Sequence, residues 1–559
     1  MLATKILLPC AAALTAAAPA LAVPTDFAER VAAYVDDAWP GDGPGASVVV
    51  MEDGEIVYAG AQGLADLEAG TPLTPDTVLR LASITKQFSA AVMMQLVDEG
   101  RVSLDDPVSK FLPDYPQPGA SATIRQLLNH SSGIQSYTQI DGWMAGAGPG
   151  RAYTTEELVA EFKDAPVVSQ PGEAFVYNNS GYVLVGAIIE AVTGKDWDVA
   201  VRERIAEPLG LETLAGGTRL PADTLAAKGY TRGEDGGWAP ARYIHMSVPH
   251  AAGALMASAT DLARWGHALH NGRVVSPKSY AAMITPESED ILISGAPRGL
   301  GLATGDVRGR PMIGHSGGIF GFSTDSGYLP DEQVFVAVLA NADRPQTDPR
   351  EAVRRLLAMA VDDAYPVYTE APVDVTAVEP LLGIYTIVGG EETRTFQMID
   401  GKLYTVRGES APQAVLPSEE GPFFYAGDRL TFFTIEEVDG VRQMAMHHDG
   451  STTAQMAVWT APPPEVQEAV DVPADRLAAY AGTYSFGGPD LRVFFDENDV
   501  FTAQLTGQPP FPLKAVANDT FTIDTVGARL VFDTGETPAP RLTIYQGGQE
   551  LVAERQPES

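Results

Sequence analysis

The sequence predicts an α/β (α+β) domain of two lobes, an antiparallel sheet with a helical lobe inserted in it, followed by two small all-β barrel-like domains. Three observations carry that prediction. Strand-like segments stand near both ends of the stretch from Asp26 to about Tyr365, with helical patterns between them. Beyond Asp363 the composition turns to Pro, Val and Thr, and then to strand-like alternation. Within that last part the text repeats. Leu382-Gly383-Ile384-Tyr385 is answered by Ala481-Gly482-Thr483-Tyr484, and Arg429-Leu430-Thr431-Phe432 by Arg529-Leu530-Val531-Phe532, at intervals of 99 and 100 residues.

Taken in order, residues 1–22 carry Lys5, an Ala-rich apolar run from Ile6 to Ala18, and Ala20-Leu21-Ala22 before Val23-Pro24, the layout of a secretory signal with its cleavage site. A periplasmic or secreted product is therefore expected. Cys10 leaves with that segment, so the mature chain has no disulfide, thiol nucleophile or cysteine metal site; a lipid anchor on Cys10, after Leu7-Leu8-Pro9, is the alternative. Residues 23–365 form the first domain. In it Gly45 to Val50 and Ile56-Val57-Tyr58 flank an Asp53-Gly54 turn, Tyr328-Leu329 and Val334 to Leu339 flank Pro330-Asp331-Glu332, and a helix runs from about Pro349 to Val361. Residues 366–468 and 469–559 are the two barrel-like units, separated by Pro462-Pro463-Pro464 and Val472-Pro473. No later stretch is apolar for long enough to span a bilayer, so no integral membrane association is expected.

The chain has 559 residues, 73 of them acidic and 37 basic, for a net charge of −36. That excess repels nucleic-acid phosphates, so no polynucleotide partner is expected, and a small-molecule substrate suits the chain better. The 45% hydrophobic content fits folded cores rather than a disordered acidic chain. The sequence leaves the oligomeric state open.

Ser83-Ile84-Thr85-Lys86 opens a run to Glu99 in which Phe88, Ala91, Val92, Leu96 and Val97 recur at helical period. The spacing of three puts Ser83 and Lys86 on one face at the helix start, where a desolvated lysine can serve as base for the hydroxyl. The alternative is a capping serine beside a solvent-facing lysine. Tyr177-Asn178-Asn179 follows Pro171-Gly172 and precedes an apolar helix from Gly181 to Val192, which places Tyr177 and Asn179 in the entering turn. There Tyr177 can move a proton and Asn179 can hold the lysine or a substrate amide; a tyrosine packed on the core is the other reading. His315-Ser316-Gly317-Gly318-Ile319 stands just before a strand read over Phe320 to Ser323. Its small residues let a substrate lie alongside, and Gly318 N–H can join Ser83 N–H as a pair of oxyanion donors, unless the segment is a turn with a surface histidine.

In this order and at these intervals, Ser83-x-x-Lys86, Tyr177-x-Asn179 and His315-x-Gly317 resemble the three signatures of the penicillin-recognising serine hydrolases. The match is to the branch holding class C β-lactamases, D-alanyl-D-alanine carboxypeptidases, D-aminopeptidases and β-lactamase-like esterases. Leu127 to Ile134 is similar to a further signature of that branch. The resemblance, over residues 26–365, implies a β-lactamase/transpeptidase-like fold and a metal-independent hydrolase with no cofactor. It implies Ser83 as the acylated nucleophile, Lys86 as its activator and Tyr177 as proton shuttle, with His315 as a further catalytic group that polarises or positions the acyl group, and Asn179, Gly317 and Gly318 at the oxyanion and substrate-positioning site.

One departure bears on substrate. Many β-lactamases carry lysine where His315 stands, and a neutral histidine draws a carboxylate less strongly, which turns the expectation from penicillins toward esters or peptide amides. A D-aminopeptidase or a peptidase of linear peptides with unusual residues is expected first, then a carboxylesterase, with a β-lactamase or a noncatalytic peptidoglycan-peptide-binding protein behind them. His130 is read as structural, and His245, His250, His267 and His270 as surface or packing residues. The paired units also resemble small barrels appended to some D-aminopeptidases, where a barrel loop enters the cleft; Gly408 to Pro422 is the candidate for such a loop.

Overall fold

In strand β1, Ala46–Glu52, Val49 and Met51 join one core while Ala46, Val48 and Val50 join another. Two-residue alternation with both faces apolar dictates a strand covered on both sides. Its neighbour Val334–Ala340 behaves alike: Phe335, Ala337 and Leu339 face the first core, and Val334, Val336, Val338 and Ala340 the second. These strands lie in an antiparallel sheet of eight described strands. The order across it is Ser288–Glu289, Pro297–Arg298, Ala303–Val307, Arg310–Ile319, Phe322–Leu329, Val334–Ala340, β1 and then β2, Glu55–Gln62. The computed structural model describes residues 23–557, except 222–223, 234–235, 290–296, 409, 465–468, 487–489, 497–498, 507–509, 535–537 and 547–548. The signal-like residues 1–22 and Cys10 lie outside the described residues.

Helices α1, Phe27–Ala38, and Pro349–Ala360 cover one face of the sheet; α1 buries Phe27, Val31 and Val35, one helical turn apart each. The other face packs on a helical lobe around α2, Thr85–Asp98. Nearly every residue of α2 is buried, polar Lys86, Gln87 and Ser89 included, so its partners surround it rather than flanking one stripe. Among the described residues no helix is long and apolar enough to cross a membrane.

The C-terminal part forms two barrel-like sheets. The first closes eight strands in sequence order, from Gly383–Ile387 through Gln455–Ala461, with the last pairing the first. Tyr385, Phe396, Leu403, Phe423 and Phe433 fill it. The second runs from Gly482–Ser485 to Gln549–Arg555, whose ends also pair. Its circuit passes from Phe511–Pro512 to Lys514–Ala515 through the single residue Leu513, a kink where the first barrel has one strand, Gln413–Pro417. The repeat is visible in detail, since Tyr385 and Tyr484 each donate a hydrogen bond to a carbonyl four residues back, Leu381 and Tyr480. The first barrel abuts the main domain through Arg354, which pairs with Asp449 at 3.0 Å, and through Leu430, which joins the second core.

Candidate active site

Ser83 sits in a single 3₁₀ turn, Ala82–Ile84, that feeds directly into α2. Ala82 ahead of it takes φ +48°, a left-handed conformation that side chains disfavour. The turn therefore delivers the serine at the head of the helix rather than as its cap. No side-chain capping bond is made there, which removes the capping-serine alternative. One turn on, Lys86 is completely buried and does not face solvent.

Lys86 Nζ has three oxygen neighbours: Ser83 Oγ at 3.1 Å, Asn179 Oδ1 at 2.9 Å and the Ala252 carbonyl at 2.9 Å. A neutral amine has two N–H groups and one lone pair. With the Asn179 and Ala252 oxygens accepting the two N–H groups, the lone pair is left to meet the Ser83 hydroxyl proton. Burial pushes the Lys86 pKa down; the charge and hydrogen bond of Tyr177 oppose this, and the Arg298 cation adds to it. The amine nitrogen also lies 4.9 Å from the Tyr177 ring centre and 5.4 Å from that of Tyr182.

Asn179 is the first residue of the helix Asn179–Thr193, not part of the turn before it. Asn178 caps that helix by accepting from Gly181 N–H at 2.8 Å, which is why the helix starts earlier than the apolar period indicates. Asn179 Nδ2 donates to Thr138 Oγ1 at 3.0 Å and its backbone N–H to Ser136 Oγ at 3.2 Å, and the two hydroxyls meet at 3.0 Å. Sequence reasoning missed Ser136 and Thr138; their position just after the Leu127 to Ile134 signature was the available signal. Tyr177 is half-buried, its ring 4.3 Å from that of His130. His130 Nδ1 accepts the Asn178 N–H at 3.1 Å, so the histidine steadies the Tyr177 turn, and burial holds it neutral.

His315 lies within the strand Arg310–Ile319, and Phe320-Gly321 is the hairpin turn, with Gly321 at φ +78°. The strand expected over Phe320 to Ser323 thus begins at Phe322, because the two glycines before Ile319 pair across the hairpin instead of turning. His315 is buried, not a surface residue. Its Nδ1 is 2.6 Å from the Ser316 carbonyl and its Nε2 is 3.3 Å from Arg298 Nη1. A guanidinium only donates, so Nε2 accepts and Nδ1 carries the proton. Burial first, then the Arg298 cation, hold the imidazole neutral.

Arg298, which sequence reasoning missed, comes from the short strand Pro297–Arg298 and also lies 5.5 Å from the Tyr177 ring centre. It supplies a permanent cation behind the residue where a lysine was found wanting, so the argument from the neutral histidine loses force. No motif marks it, because its approach to His315 depends on sheet pairing.

Gly317 lacks room for a side chain: a Cβ there would lie 2.4 Å from the Leu81 carbonyl and 2.4 Å from Thr324 Oγ1. Its absence lets the strand lie against the turn that carries Ser83. Gly318, by contrast, faces open space. It borders a cavity of about 470 Å³ lined also by Ser83, Asn179, Tyr137, Phe320 and Asp343. The seven residues singled out from sequence therefore converge, Ser83, Asn179 and Gly318 lining the cavity and Lys86, Tyr177, His315 and Gly317 packed around them.

No described barrel residue lines that cavity. The candidate loop Gly408 to Pro422 is spent otherwise: Gln413–Pro417 is a barrel strand, Glu419 N–H bonds the Thr369 carbonyl, and Pro412 lies beside Gly527 of the second barrel. Elsewhere, His250 is buried at packing distance from Trp197, and His270 stacks on Tyr328 at 4.1 Å. Among the described residues no group of three or more His, Cys, Asp or Glu is placed to hold a metal ion.

The family model described as Beta-lactamase matches residues 27–360. A D-aminopeptidase of Cereibacter sphaeroides is 29% identical over 331 residues, covering 58% of this chain and 61% of its own. Esterase EstB of Burkholderia gladioli is 37% identical over 180 residues, covering 30% of this chain and 45% of its own. The chain thus spans less than two thirds of either curated relative. Among solved structures, the octameric penicillin-binding protein homologue from Pyrococcus abyssi is similar with a TM-score of 0.55 and 26% identity, covering 77% of this chain and 99% of that one.

Proposed function

The chain belongs to the β-lactamase family, and from that premise we propose that it is a metal-independent serine hydrolase that cleaves amide or ester bonds through an acyl-enzyme on Ser83. The observation that carries this reading is the contact of fully buried Lys86 with Ser83 Oγ, beside an open cavity. In this reading Lys86, its pKa lowered by burial, takes the Ser83 proton in its neutral form as Oγ attacks the substrate carbonyl. The N–H groups of Ser83 and Gly318 hold the oxyanion, each such donor being worth about 10²–10³ in rate. Tyr177, between Lys86 and Arg298, passes a proton to the departing amine or alcohol. Asn179, braced by Ser136 and Thr138, keeps the Lys86 amine aimed at the serine. A water molecule then attacks the acyl-enzyme and releases the acid.

The substrate class put first is a peptide amide with D or otherwise unusual residues, which similarity to a D-aminopeptidase supports. A carboxylesterase is the second reading, favoured by the 37% identity to esterase EstB. Export to the periplasm or outside the cell, from the signal-like start, belongs to the same proposal.

The test is intact-mass detection of labelling by a fluorophosphonate in wild type and Ser83→Ala, beside turnover of p-nitrophenyl esters, D- and L-alanyl amides, a linear peptide and nitrocefin. Labelling confined to wild type, with D-alanyl amides turned over fastest, is expected. Fastest turnover of the p-nitrophenyl esters selects the esterase reading. Label retained in Ser83→Ala, or none in either protein, overturns the nucleophile.

A further inference from the structure

Inside the first barrel the apolar filling gives way at one end. Arg394 stands two residues before Phe396 on the strand Thr393–Ile399, and so points to the same side, into the barrel. Arg394 is only 8% exposed, Thr405 3% and Tyr425 6%. They border a cavity of about 700 Å³ that also reaches Arg407, Asp428 and His448. The other charges there are satisfied. Arg407 pairs with Glu392 through two nitrogens, and the Asp428 carboxylate takes the N–H groups of Leu430 and Thr431 and the Thr431 hydroxyl. Thr405 Oγ1 and Tyr425 OH bond each other at 2.7 Å. Arg394 makes no ion pair with a described residue, Glu392 acting on it only at longer range, and its buried Nε has no acceptor among the described residues.

The second barrel is an internal control. Tyr385 faces Arg394 across the first pair of strands, and Tyr484 faces Leu491 in the second barrel. Following the ladders outward, Phe396 faces Thr405 where Val493 faces Ala503, and Arg394 faces Arg407 where Leu491 faces Leu505. The copy thus has Leu491, Ala503 and Leu505 at the places of Arg394, Thr405 and Arg407. The second sheet forms without those polar groups, and a buried guanidinium with no direct ion pair is a cost that folding does not require.

We propose that the mouth of the first barrel is a binding site for a small carboxylate-bearing molecule, with Arg394 as its counter-charge and the Thr405–Tyr425 hydroxyl pair beside it. A guanidinium presents a planar fork that matches a carboxylate. The cavity falls in the range of small-ligand sites, and an eight-stranded barrel is wide enough to hold one such ligand where side chains do not fill it. The site is separate from Ser83, since the two cavities share no lining residue.

The test is calorimetric titration of the full chain carrying Ser83→Ala with acetate, with N-acetyl-D-alanine and, in a separate arm, with inorganic phosphate. Each titration is repeated after Arg394→Leu and Arg394→Lys, with the melting temperature of each protein measured. Saturable binding of at least one carboxylate is expected, weakened about 10- to 100-fold by Arg394→Leu and less by Arg394→Lys. Arg394→Leu, which copies the second barrel, should melt no lower than its parent. The proposal is overturned by any of four results: no saturable carboxylate binding up to about 10 mM, binding unchanged in Arg394→Leu, binding of phosphate alone, or a lowered melting temperature in Arg394→Leu, which would make Arg394 a structural residue.

Discussion

Gly317→Ala against Gly318→Ala is the sharpest test of the proposed site, because the two neighbours differ in geometry and hardly at all in chemistry. A methyl group on Gly317 would sit 2.4 Å from the Leu81 carbonyl oxygen, whereas 3.0 Å is the least that real contacts show and 3.4 Å the start of ordinary ones. Thr324 Oγ1, also 2.4 Å away, can rotate; Leu81 O is backbone, one residue before the Ala82–Ile84 turn, and cannot. The strand and the turn must therefore part by roughly 0.6–1.0 Å. A misplacement near 1 Å at reacting groups costs on the order of 10²-fold in rate, or about 2.7 kcal/mol of transition-state stabilisation. Gly317→Ala should lower kcat/KM for a p-nitrophenyl ester about 100-fold and leave a cooperative melting transition. Gly318→Ala, whose methyl group meets no atom within 4 Å, should stay within a few-fold of wild type. Equal losses in the two variants, or no loss in Gly317→Ala, would falsify the claim that contact between the strand and the serine turn builds the site.

Lys86→Met removes the base and should slow fluorophosphonate labelling by about 10²–10⁴. In wild type the labelling rate should rise with pH as the depressed Lys86 group loses its proton, with no step near pH 6.5 from His315, which burial holds neutral; stopped-time mass spectrometry across pH reads both. Asp325 is raised to about 7 from 3.8 by burial, so the folded state holds a proton that the unfolded state loses, and its contribution to stability falls as pH rises from 3.8 through 7. Asp325→Asn should therefore become more stable relative to wild type by about 2 kcal/mol between about pH 5.5 and pH 8 in urea unfolding. His250 and His270 are both lowered to about 3, so the unfolded chain takes up protons first; stability is present above 6.5 and should drop as pH falls below it, seen as a falling urea midpoint.

Much of the candidate site was legible because its parts lie in short local motifs. Ser83 and Lys86 are one helical turn apart, and the 99-residue interval exposes the second barrel as a copy of the first. What stayed hidden depends on pairing across the fold. Arg298 meets His315 because Arg298 faces Ala303 and Ala303 faces Gly314 on successive strands, a relation that no spacing announces. Ser136 and Thr138 reach Asn179 through a connection without regular period. The turn at Phe320-Gly321 was misread because Phe320 and Phe322 flank a glycine much as strand residues flank a bulge, and only the register shows the reversal. Arg394 escaped notice because an arginine in an alternating strand reads as solvent-facing until the strand's neighbours close a barrel around it.

The pairing of β1 with Val334–Ala340 also has a meaning for how the molecule comes into being. Ala46 faces Ala340 and Glu52 faces Val334, so β1 waits for nearly three hundred further residues to be synthesised before its central neighbour exists. The intervening lobe can collapse early around α2, but the strand with His315, Gly317 and Gly318 arrives only near the end of that wait. A nascent chain halted before residue 310 holds Ser83 and Lys86 without the strand that borders the cavity. Such a fragment leaves one edge of the apolar β1–β2 pair without its neighbour, a species prone to aggregate until translation passes residue 340.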